Sequence, residues 1–318
     1  MMKRIMVTGG SGFVGRTLLE RLHQEGHELI APSRSPLTQA PVSVVNPLVG
    51  GLAADVDWTT SLEGVSVVIH SAARVHVMND TAADPLVEFR KANVDGTLSL
   101  ARQAAAAGVQ RFVFISSIKV NGEGTQPGHA YRADDTPAPQ DPYGVSKMEA
   151  EQGLRSLANE TGMQVVIIRP VLVYGPGVKA NFRSMMSWLR KGIPLPLGAT
   201  GNKRSLVAVD NLVDLIATCI DHPAAANQTF LVSDGEDLST TQLLQRMGNA
   251  LGRPARLLPV PATLLQAGAA MLGRRAIAQR LCGSLQVDIA KTRELLGWTP
   301  AVSVDDALRK TALAFDAG

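Results

Sequence analysis

The chain has 318 residues, of which 45% are hydrophobic, 4% aromatic and 19% charged. This length and composition are typical of a globular α/β protein with a large core, and they exclude a disordered chain or a small disulfide scaffold. The net charge is only +3, with acidic and basic residues interspersed, so nucleic-acid binding is not expected.

The N-terminal element is a short apolar strand followed by a glycine-rich turn. Residues 5–7 predict a buried strand, and the apolar residues of 16–23 share one face of a helix. Between them, Gly9, Gly12 and Gly15 have the spacing G-x-x-G-x-x-G. Glycine permits a tight turn and the close approach of a phosphate, and a helix N-terminus offers unpaired N–H groups to an anion. The turn therefore predicts a dinucleotide pyrophosphate site, although a glycine-rich turn alone also occurs in other α/β proteins.

Strand and helix patterns then alternate through the first half of the chain. The predicted strands are residues 28–31, 65–73, 111–117 and 164–170, and the predicted helices are residues 85–107 and 143–161. Such alternation predicts an α/β fold with a doubly wound parallel sheet of the Rossmann type. After about residue 175 the pattern loosens into Gly/Pro-rich loops and short elements. We expect a dinucleotide-binding domain at residues 1–175 and a smaller, mixed α/β, mainly substrate-binding part at residues 176–318, with the chain crossing back around residues 205–235.

Two features bear on location. Residues 260–273 are apolar but too short to span a bilayer, and they end in Arg274 and Arg275. We interpret this segment as a packed helix with a solvated end and expect no membrane insertion. Cys219 and Cys282 have neither metal-ligand spacing nor a disulfide framework, which favours the cytoplasm and predicts no metal site.

The candidate catalytic residues are a serine, a tyrosine and a lysine. Tyr143 and Lys147 are four residues apart on a predicted helix and therefore share one face. An ammonium near a phenol favours the tyrosinate, so we expect a lowered pKa and a proton carrier suited to neutral pH. Ser117 ends a predicted strand, where open α/β sheets bind ligands. An ordinary exposed Tyr–Lys pair is the alternative for this spacing alone.

Taken together, the motifs resemble those of extended short-chain dehydrogenase/reductases that modify nucleotide sugars. The resemblance rests on TGGSGFVG (8–15), HSAA (70–73), NVDGT (93–97), SSIKV (116–120), YGVSK (143–147), RPVLVYGPG (169–177), RSLVAVDNL (204–212) and LLGWTP (295–300). It implies that Ser117, Tyr143 and Lys147 are the catalytic residues. It also implies a homodimer formed through the helices predicted at residues 85–107 and 143–161.

The resemblance further implies two sets of binding residues. Those expected around a nicotinamide cofactor are Gly9, Gly12, Phe13, Val14, Ser33, Arg34, Leu52, Ala72, Ala73, Tyr143, Lys147, Pro170 and Val173. Those expected to contact a UDP-sugar substrate are Ser117, Val120, Tyr143, Asn181 and Arg204. Of these, Asn181 and Arg204 match positions that contact the substrate's diphosphate in relatives, and an arginine fork suits phosphate oxygens.

The end of the second predicted strand bears on the choice of cofactor. NAD enzymes of this fold commonly carry an acidic residue there, which holds the ribose 2′-hydroxyl. Residues 28–35 (ELIAPSRS) place Ser33 and Arg34 after the strand instead. An arginine there would attract a 2′-phosphate, with Arg16 assisting from the first helix, so NADP(H) is favoured. NAD(H) remains possible, since Arg34 is equally compatible with an ordinary surface position.

The residues after Ser117 exclude two reactions of the family. Sugar 4,6-dehydratases carry an Asp-Glu pair there, and enzymes that epimerise C3 and C5 carry a cysteine at the second place. This chain has Ile118 and Lys119. What remains is hydride transfer at a single carbon, with Tyr143 as the proton partner. An exposed Lys119 is the simpler expectation, and contact with the substrate is the alternative.

The missing acidic residue favours NAD(P)H-dependent reduction of the C4 keto group of a UDP-linked 4-keto-6-deoxy-N-acetylhexosamine. The segments SSIKVNGE (116–123) and AARVHVM (72–78) resemble bacterial enzymes that make such sugars for surface polysaccharide, including O-antigen and lipopolysaccharide. Two alternatives stay open. One is an NAD-dependent UDP-hexose 4-epimerase, and the other is a non-catalytic NADP(H)-binding sensor of the same fold.

Overall fold

The computed structural model describes residues 2–75, 84–126, 128–271, 273 and 275–317, so residues 76–78 of the AARVHVM segment lie outside it. It contains nine strands over this part of the chain: β1 (Arg4–Thr8), β2 (Glu28–Ile30), β3 (Val67–His70), β4 (Arg111–Ile115), β5 (Gln164–Pro170), β6 (Leu172–Tyr174), β7 (Arg204–Ala208), β8 (Thr229–Val232) and β9 (Asp237–Leu238). Six of them form a parallel sheet in the order β2-β1-β3-β4-β5-β8. The others form a small mixed sheet in the order β6-β7-β9.

Twelve α-helices connect these strands in the described residues: α1 (Phe13–Gln24), α2 (Thr59–Leu62), α3 (Pro85–Arg90), α4 (Thr97–Ala106), α5 (Pro142–Thr161), α6 (Ala180–Arg190), α7 (Val209–Asp221), α8 (Thr240–Ala250), α9 (Ala262–Met271), α10 (Arg275–Cys282), α11 (Ala290–Leu296) and α12 (Val304–Ala317). A π-helical turn spans Lys91–Gly96, and 3₁₀ turns span Ile118–Val120 and Pro223–Ala225.

The main sheet is covered on both faces. Ile5 and Val7 of β1 pack with the apolar faces of α1 and α7, and Met6 between them packs with α4 and α5 on the other side. Side chains alternate between the two faces of a strand, so a strand covered by helices on both sides is apolar throughout. The doubly wound, Rossmann-type sheet predicted from the alternating pattern is confirmed.

The second half of the chain contributes to both sheets. β8 extends the main sheet by pairing with β5, whereas β7 lies in the small sheet. A third apolar cluster joins α6, α8 and α12 around Tyr174 and Phe182, whose rings stack with centroids 5.3 Å apart. The division of the chain into two domains at residue 175 stays a prediction.

Two predicted helices differ from the structure. Residues 85–107 are not one continuous α-helix, because the π-helical turn interrupts them between α3 and α4. The helix predicted within residues 260–273 is α9, and it packs less than expected: it has no buried residue, Leu264 and Met271 are 63% and 89% exposed, and Leu265 packs partly against the third apolar cluster. Across the described ranges, no helix combines the length and apolar character needed to cross a bilayer.

Candidate active site

The glycine-rich turn connects β1 to α1 and is closed by its own backbone. Gly9 has φ +77°, a conformation that favours glycine, and a Cβ there would lie 2.8 Å from the Ala72 backbone nitrogen. The Gly12 N–H donates to the Gly9 carbonyl at 2.8 Å. A Cβ on Gly15 would lie 2.1 Å from the Gly9 carbonyl oxygen. The turn therefore requires glycine at positions 9 and 15 for steric reasons.

The same turn offers a site for an anion. Gly12 is the N-cap of α1 and makes no side-chain cap hydrogen bond, because it has no side chain. The N–H groups of the first helical turn are therefore free of a side-chain cap, at the positive end of the helix dipole. This cradle fits the pyrophosphate of a dinucleotide.

Other predicted cofactor residues lie at the carboxyl edge of the main sheet. Phe13 and Val14 are half-buried in the first turn of α1, and Ala72 and Ala73 are half-buried directly after β3. The Ala72 N–H donates to the Thr8 hydroxyl at 3.3 Å, which brings the ends of β1 and β3 together. Pro170 ends β5, and the half-buried Val173 follows in β6. The carboxyl ends of parallel strands form the ligand crevice of such sheets.

The residues that bear on cofactor choice follow β2. Ser33 is fixed by hydrogen bonds to the Ser35 carbonyl at 2.5 Å and from the Asn46 amide at 2.8 Å. Arg34 is exposed, and Arg16 donates to the Gln39 side chain. Leu52 lies farther along this segment.

Leu52 packs against the π-helical turn. It is half-buried, and its carbonyl carbon would be 3.0 Å from a Cβ on Gly96. Gly96 therefore lets the segment after β2 approach the turn closely.

Ser117 and Tyr143 meet at the end of β4. Ser117 is half-buried and begins the 3₁₀ turn, and its hydroxyl accepts a hydrogen bond from the Lys119 N–H at 3.3 Å. Tyr143 lies in the first turn of α5, whose N-terminus is capped by the Asp141 carboxylate. A hydrogen bond joins the Ser117 and Tyr143 side chains. The predicted serine–tyrosine pair is thus brought together across the crevice.

The pKa of Tyr143 differs from the expectation. Burial, with a smaller contribution from the Asp141 carboxylate, raises the pKa from its ordinary 10.0 to about 12, and the Ser117 hydrogen bond opposes both. Lys147 is not among the groups that shift this pKa. The predicted lowering by Lys147 is therefore not seen, because burial disfavours the tyrosinate more than the neighbouring polar groups favour it.

Lys147 lies one helical turn after Tyr143 and is almost fully buried, with 2% of its surface exposed. Its Nζ donates to the Ile115 carbonyl at 2.8 Å and lies 4.1 Å from the centroid of the Phe114 ring. Burial lowers the pKa of Lys147 to about 7, while the Glu151 carboxylate one turn further along α5 raises it. Lys147 is therefore held at the end of β4, with its charge sensitive to its surroundings near neutral pH.

The predicted substrate residues are spread more widely. Asn181 is exposed in the first turn of α6, directly after Ala180, whose φ is +54°. Arg204 begins β7, and its Nη1 donates at 3.2 Å to the carbonyls of Arg280 and Gly283.

The environment of Arg204 is compatible with the expected contact to an anion. Burial alone lowers its pKa, and no carboxylate pairs with it within the described ranges. A half-buried guanidinium of this kind suits a phosphate oxygen. Val120, in contrast, is fully buried, so its side chain has no surface exposed to the crevice.

Asn93 is a structural part of the site for which the sequence predicted no role. Its side chain is buried in the π-helical turn, where Oδ1 accepts from the Arg74 N–H at 2.8 Å. Its Nδ2 donates to the Arg74 carbonyl and to the Ser146 hydroxyl, each at 3.0 Å. Asn93 thus joins the segment after β3 to α5. The available signal was the NVDGT motif, which puts an asparagine inside a helical pattern.

The model of the NAD dependent epimerase/dehydratase family matches residues 5–233. A UDP-glucose 4-epimerase of Vibrio cholerae is 48% identical over 316 residues, which cover 99% of this chain and 96% of that protein. The chain belongs to the NAD dependent epimerase/dehydratase family.

Solved structures agree on the fold of this family member. A UDP-glucose 4-epimerase from Thermotoga maritima with UDP-glucose has a TM-score of 0.76 and 22% identity, with 99% of both chains covered. A UDP-glucuronic acid 4-epimerase from Bacillus cereus in complex with NAD has a TM-score of 0.78 and 19% identity, again with 99% of both chains covered. At these identities the likeness concerns the fold. The predicted membership of the extended short-chain dehydrogenase/reductases is confirmed.

The predicted C4-keto reductase activity is wrong, because the 48% identical relative is a 4-epimerase. The error came from using the absent acidic residue after β2 to choose the reaction. Serine, tyrosine and lysine serve hydride transfer in either reaction, so these residues do not separate a reductase from an epimerase. The favoured NADP(H) also finds no support, since the family is described as NAD dependent and the Bacillus cereus structure contains NAD.

Proposed function

We propose that the protein catalyses the NAD-dependent 4-epimerisation of a UDP-hexose. The observation that carries the proposal is the Ser117–Tyr143 hydrogen bond at the end of β4, with Lys147 one turn further along the same helix. The 48% identity to a UDP-glucose 4-epimerase over almost the whole chain supports this reaction.

The glycine turn supports a dinucleotide cofactor. Gly9 and Gly15 leave no room for a Cβ, and the first turn of α1 has no side-chain cap. When bound, NAD would supply the reversible acceptance of a hydride from the sugar. Gly9, Gly12, Phe13, Val14, Ala72, Ala73, Pro170 and Val173 are the residues that would hold it.

Tyr143 is the proton carrier in this proposal. Its phenolate removes the proton from the C4 hydroxyl, and the resulting phenol returns a proton to the C4 oxygen after the 4-keto sugar has rotated to present its opposite face. Ser117 donates a hydrogen bond to the reacting oxygen and fixes its distance from Tyr143. Lys147, one turn further along α5 and buried at the end of β4, would hold a ribose hydroxyl of the cofactor. The chain thus contributes positioning, electrostatics and proton transfer.

The cofactor proposal is NAD in place of NADP(H). Arg34 is exposed and follows β2, so it is the residue that would bind the 2′-phosphate of NADP(H). The substrate proposal is a UDP-sugar whose diphosphate contacts Arg204 and Asn181. A homodimer formed through the α3–α4 segment and α5, and a cytoplasmic location, stay predictions.

Incubation of the purified protein with UDP-glucose or UDP-galactose tests the proposal. Parallel reactions contain the N-acetyl forms, and products are separated by chromatography. We expect each C4 epimer to convert into the other without consumption of added NADH or NADPH. Absence of interconversion for both pairs, in protein shown to contain NAD, would contradict the proposed reaction.

A further inference from the structure

Lys119 lies between the two elements that carry the serine–tyrosine pair. Its ammonium forms an ion pair with Asp141, and it forms a second one with Glu123 at 3.0 Å. The Lys119 and Asp141 side chains are only 25% and 18% exposed. Lys119 is two residues after Ser117, and Asp141 is two residues before Tyr143. The ion pair therefore links positions adjacent to both catalytic side chains, across 22 residues of chain.

Asp141 also fixes the start of α5. Its Oδ1 accepts the Gly144 N–H at 2.7 Å, which caps the helix, whereas its Oδ2 pairs with Lys119. The backbone is close at the same place, since a Cβ on Gly144 would lie 2.9 Å from the Lys119 carbonyl oxygen. The 3₁₀ turn and the first turn of α5 are thus in contact through both backbone and charge.

Asp141 acts on the tyrosine electrostatically as well. Its carboxylate raises the pKa of Tyr143, and a phenolate beside a carboxylate is disfavoured. An ammonium paired with the Asp141 carboxylate offsets the repulsion between this carboxylate and the phenolate, because the two opposite charges largely cancel at the position of the phenol. Lys119 occupies this position.

The other charged groups around Tyr143 come from three segments. Lys147 lies on α5 itself, and Glu123 forms the second ion pair of Lys119 at 3.0 Å. From the segment after β3, the Arg74 guanidinium lies 5.7 Å from the Phe89 ring centroid, and the Phe89 ring packs edge-on against Tyr143 with centroids 6.0 Å apart. Of these groups, Lys119 is the cation in direct ionic contact with Asp141.

We propose that Lys119 is a positioning residue that fixes Ser117 relative to Tyr143 and neutralises Asp141 beside the phenol. The inference rests on the proposed function in one respect, namely that Tyr143 ionises during turnover. This role differs from both expectations drawn from the sequence, an exposed lysine and a substrate contact. The Lys119 side chain is only 25% exposed and forms ion pairs with Asp141 and Glu123.

The test compares Lys119→Met, Lys119→Arg, Asp141→Asn and the double variant Lys119→Met/Asp141→Asn. The readout is the phenolate absorbance of NAD-loaded protein as a function of pH, with Tyr143→Phe subtracted. The chain has only three tyrosines, so the Tyr143 step can be isolated. Lys191→Met, at an exposed position after α6, is the matched charge control.

We expect Lys119→Met to raise the pKa of Tyr143 by roughly half a unit to one unit, the size of a partly exposed ion pair. Lys119→Arg should restore the wild-type value, and the double variant should return close to it because both charges are gone. At neutral pH, kcat for epimerisation should fall about three- to tenfold in Lys119→Met, with KM little changed.

Two outcomes would overturn the inference. One is an unchanged Tyr143 titration in Lys119→Met. The other is a loss of thermal stability and activity that Lys119→Arg does not rescue, which would indicate packing alone. Because the titration needs no substrate, it decides the role of Lys119 even if the wild-type protein epimerises no UDP-hexose, a result that would count against the proposed function only.

Discussion

The carboxylate of Glu151 and the guanidinium of Arg169 form a two-point ion pair between α5 and β5. Arg169 Nε lies 2.8 Å from Glu151 Oε1, and Arg169 Nη2 lies 2.6 Å from Oε2. Their side chains are 2% and 0% exposed. The Ser116 hydroxyl donates to Oε1 at 2.6 Å, and Arg169 Nη1 donates to Asn121 at 2.9 Å. The pair thus fastens α5 to β5 and to the end of β4.

Glu151→Gln should therefore destabilise the fold strongly. A buried Arg169 left without its carboxylate costs about 3–5 kcal/mol in the free energy of unfolding. Urea denaturation measures this, with Glu149→Gln as the control on the same helix. Glu149 pairs with Arg90 at a more exposed site, so its loss should cost no more than about 1 kcal/mol. Equal, small losses in both variants would contradict this account of the pair.

Tyr143→Phe should abolish epimerisation and leave NAD binding intact. The phenol is the only proton carrier that we assign, and loss of general acid–base catalysis costs roughly 10²–10⁴-fold in rate. The edge-on packing against Phe89 is retained by a phenylalanine ring. Activity assays and NAD titration by fluorescence measure the two effects. Retained turnover would remove Tyr143 from the mechanism, whereas NAD binding by a wild-type protein without turnover would favour the sensor alternative.

Arg34→Ala should leave NAD affinity within about twofold of wild type, because Arg34 is exposed and would contact only a 2′-phosphate. NADP(H) affinity should fall by about tenfold, the size of one charge-assisted contact. Calorimetric titration of both cofactors into wild type and variant measures this. Tighter binding of NADPH than of NADH by the wild type, reversed in Arg34→Ala, would favour NADP(H) after all.

Arg204→Met should raise KM for the UDP-hexose by about 10- to 100-fold, since charge-assisted hydrogen bonds to phosphate contribute about 1.5–3 kcal/mol. NAD affinity should not change. The exposed neighbour Lys203→Met is the control for loss of charge. Thermal melts of both variants monitor the support that Arg204 gives to the Arg280 and Gly283 carbonyls. A KM equal to that of wild type would place Arg204 outside the substrate site.

The protein should lose stability in acid through His70. This residue is fully buried between Thr8 and Thr97, which lie 2.7 Å and 2.9 Å from its ring nitrogens. Burial lowers its pKa to about 3, with a smaller contribution from the Lys147 charge. Between pH 6.5 and 3 the unfolded chain binds a proton that the folded chain does not, so the free energy of unfolding falls with pH over this window.

His70→Asn removes this titration. The unfolding free energy of the variant should depend less steeply on pH between 6.5 and 4 than that of the wild type, as measured by urea denaturation at each pH. The comparison cancels the carboxylates that titrate in the same range. Parallel pH profiles for the two proteins would show that His70 does not carry the acid sensitivity.

The sequence by itself determined the β1–turn–α1 unit and the positions of Ser117, Tyr143 and Lys147. These features depend on neighbours a few residues apart. Apolar periodicity predicts which face of an element is buried, and a spacing of four puts two side chains on one face of a helix. The role of the glycines could also be predicted from the sequence, because each lies where a Cβ would contact nearby backbone of the same turn or of the segment after β3.

Other properties were decided only by the tertiary structure, because they depend on residues far apart in the chain. The π-helical turn holds Asn93 against Arg74 and Ser146, and α9 has no buried residue, with Leu265 packing only partly against the third apolar cluster. The pKa of Tyr143 follows from burial and from Asp141, and both work against the lowering that an adjacent lysine predicts. Burial and long-range ion pairs form when elements distant in the chain pack together. The spacing of residues along the sequence therefore does not predict either of them.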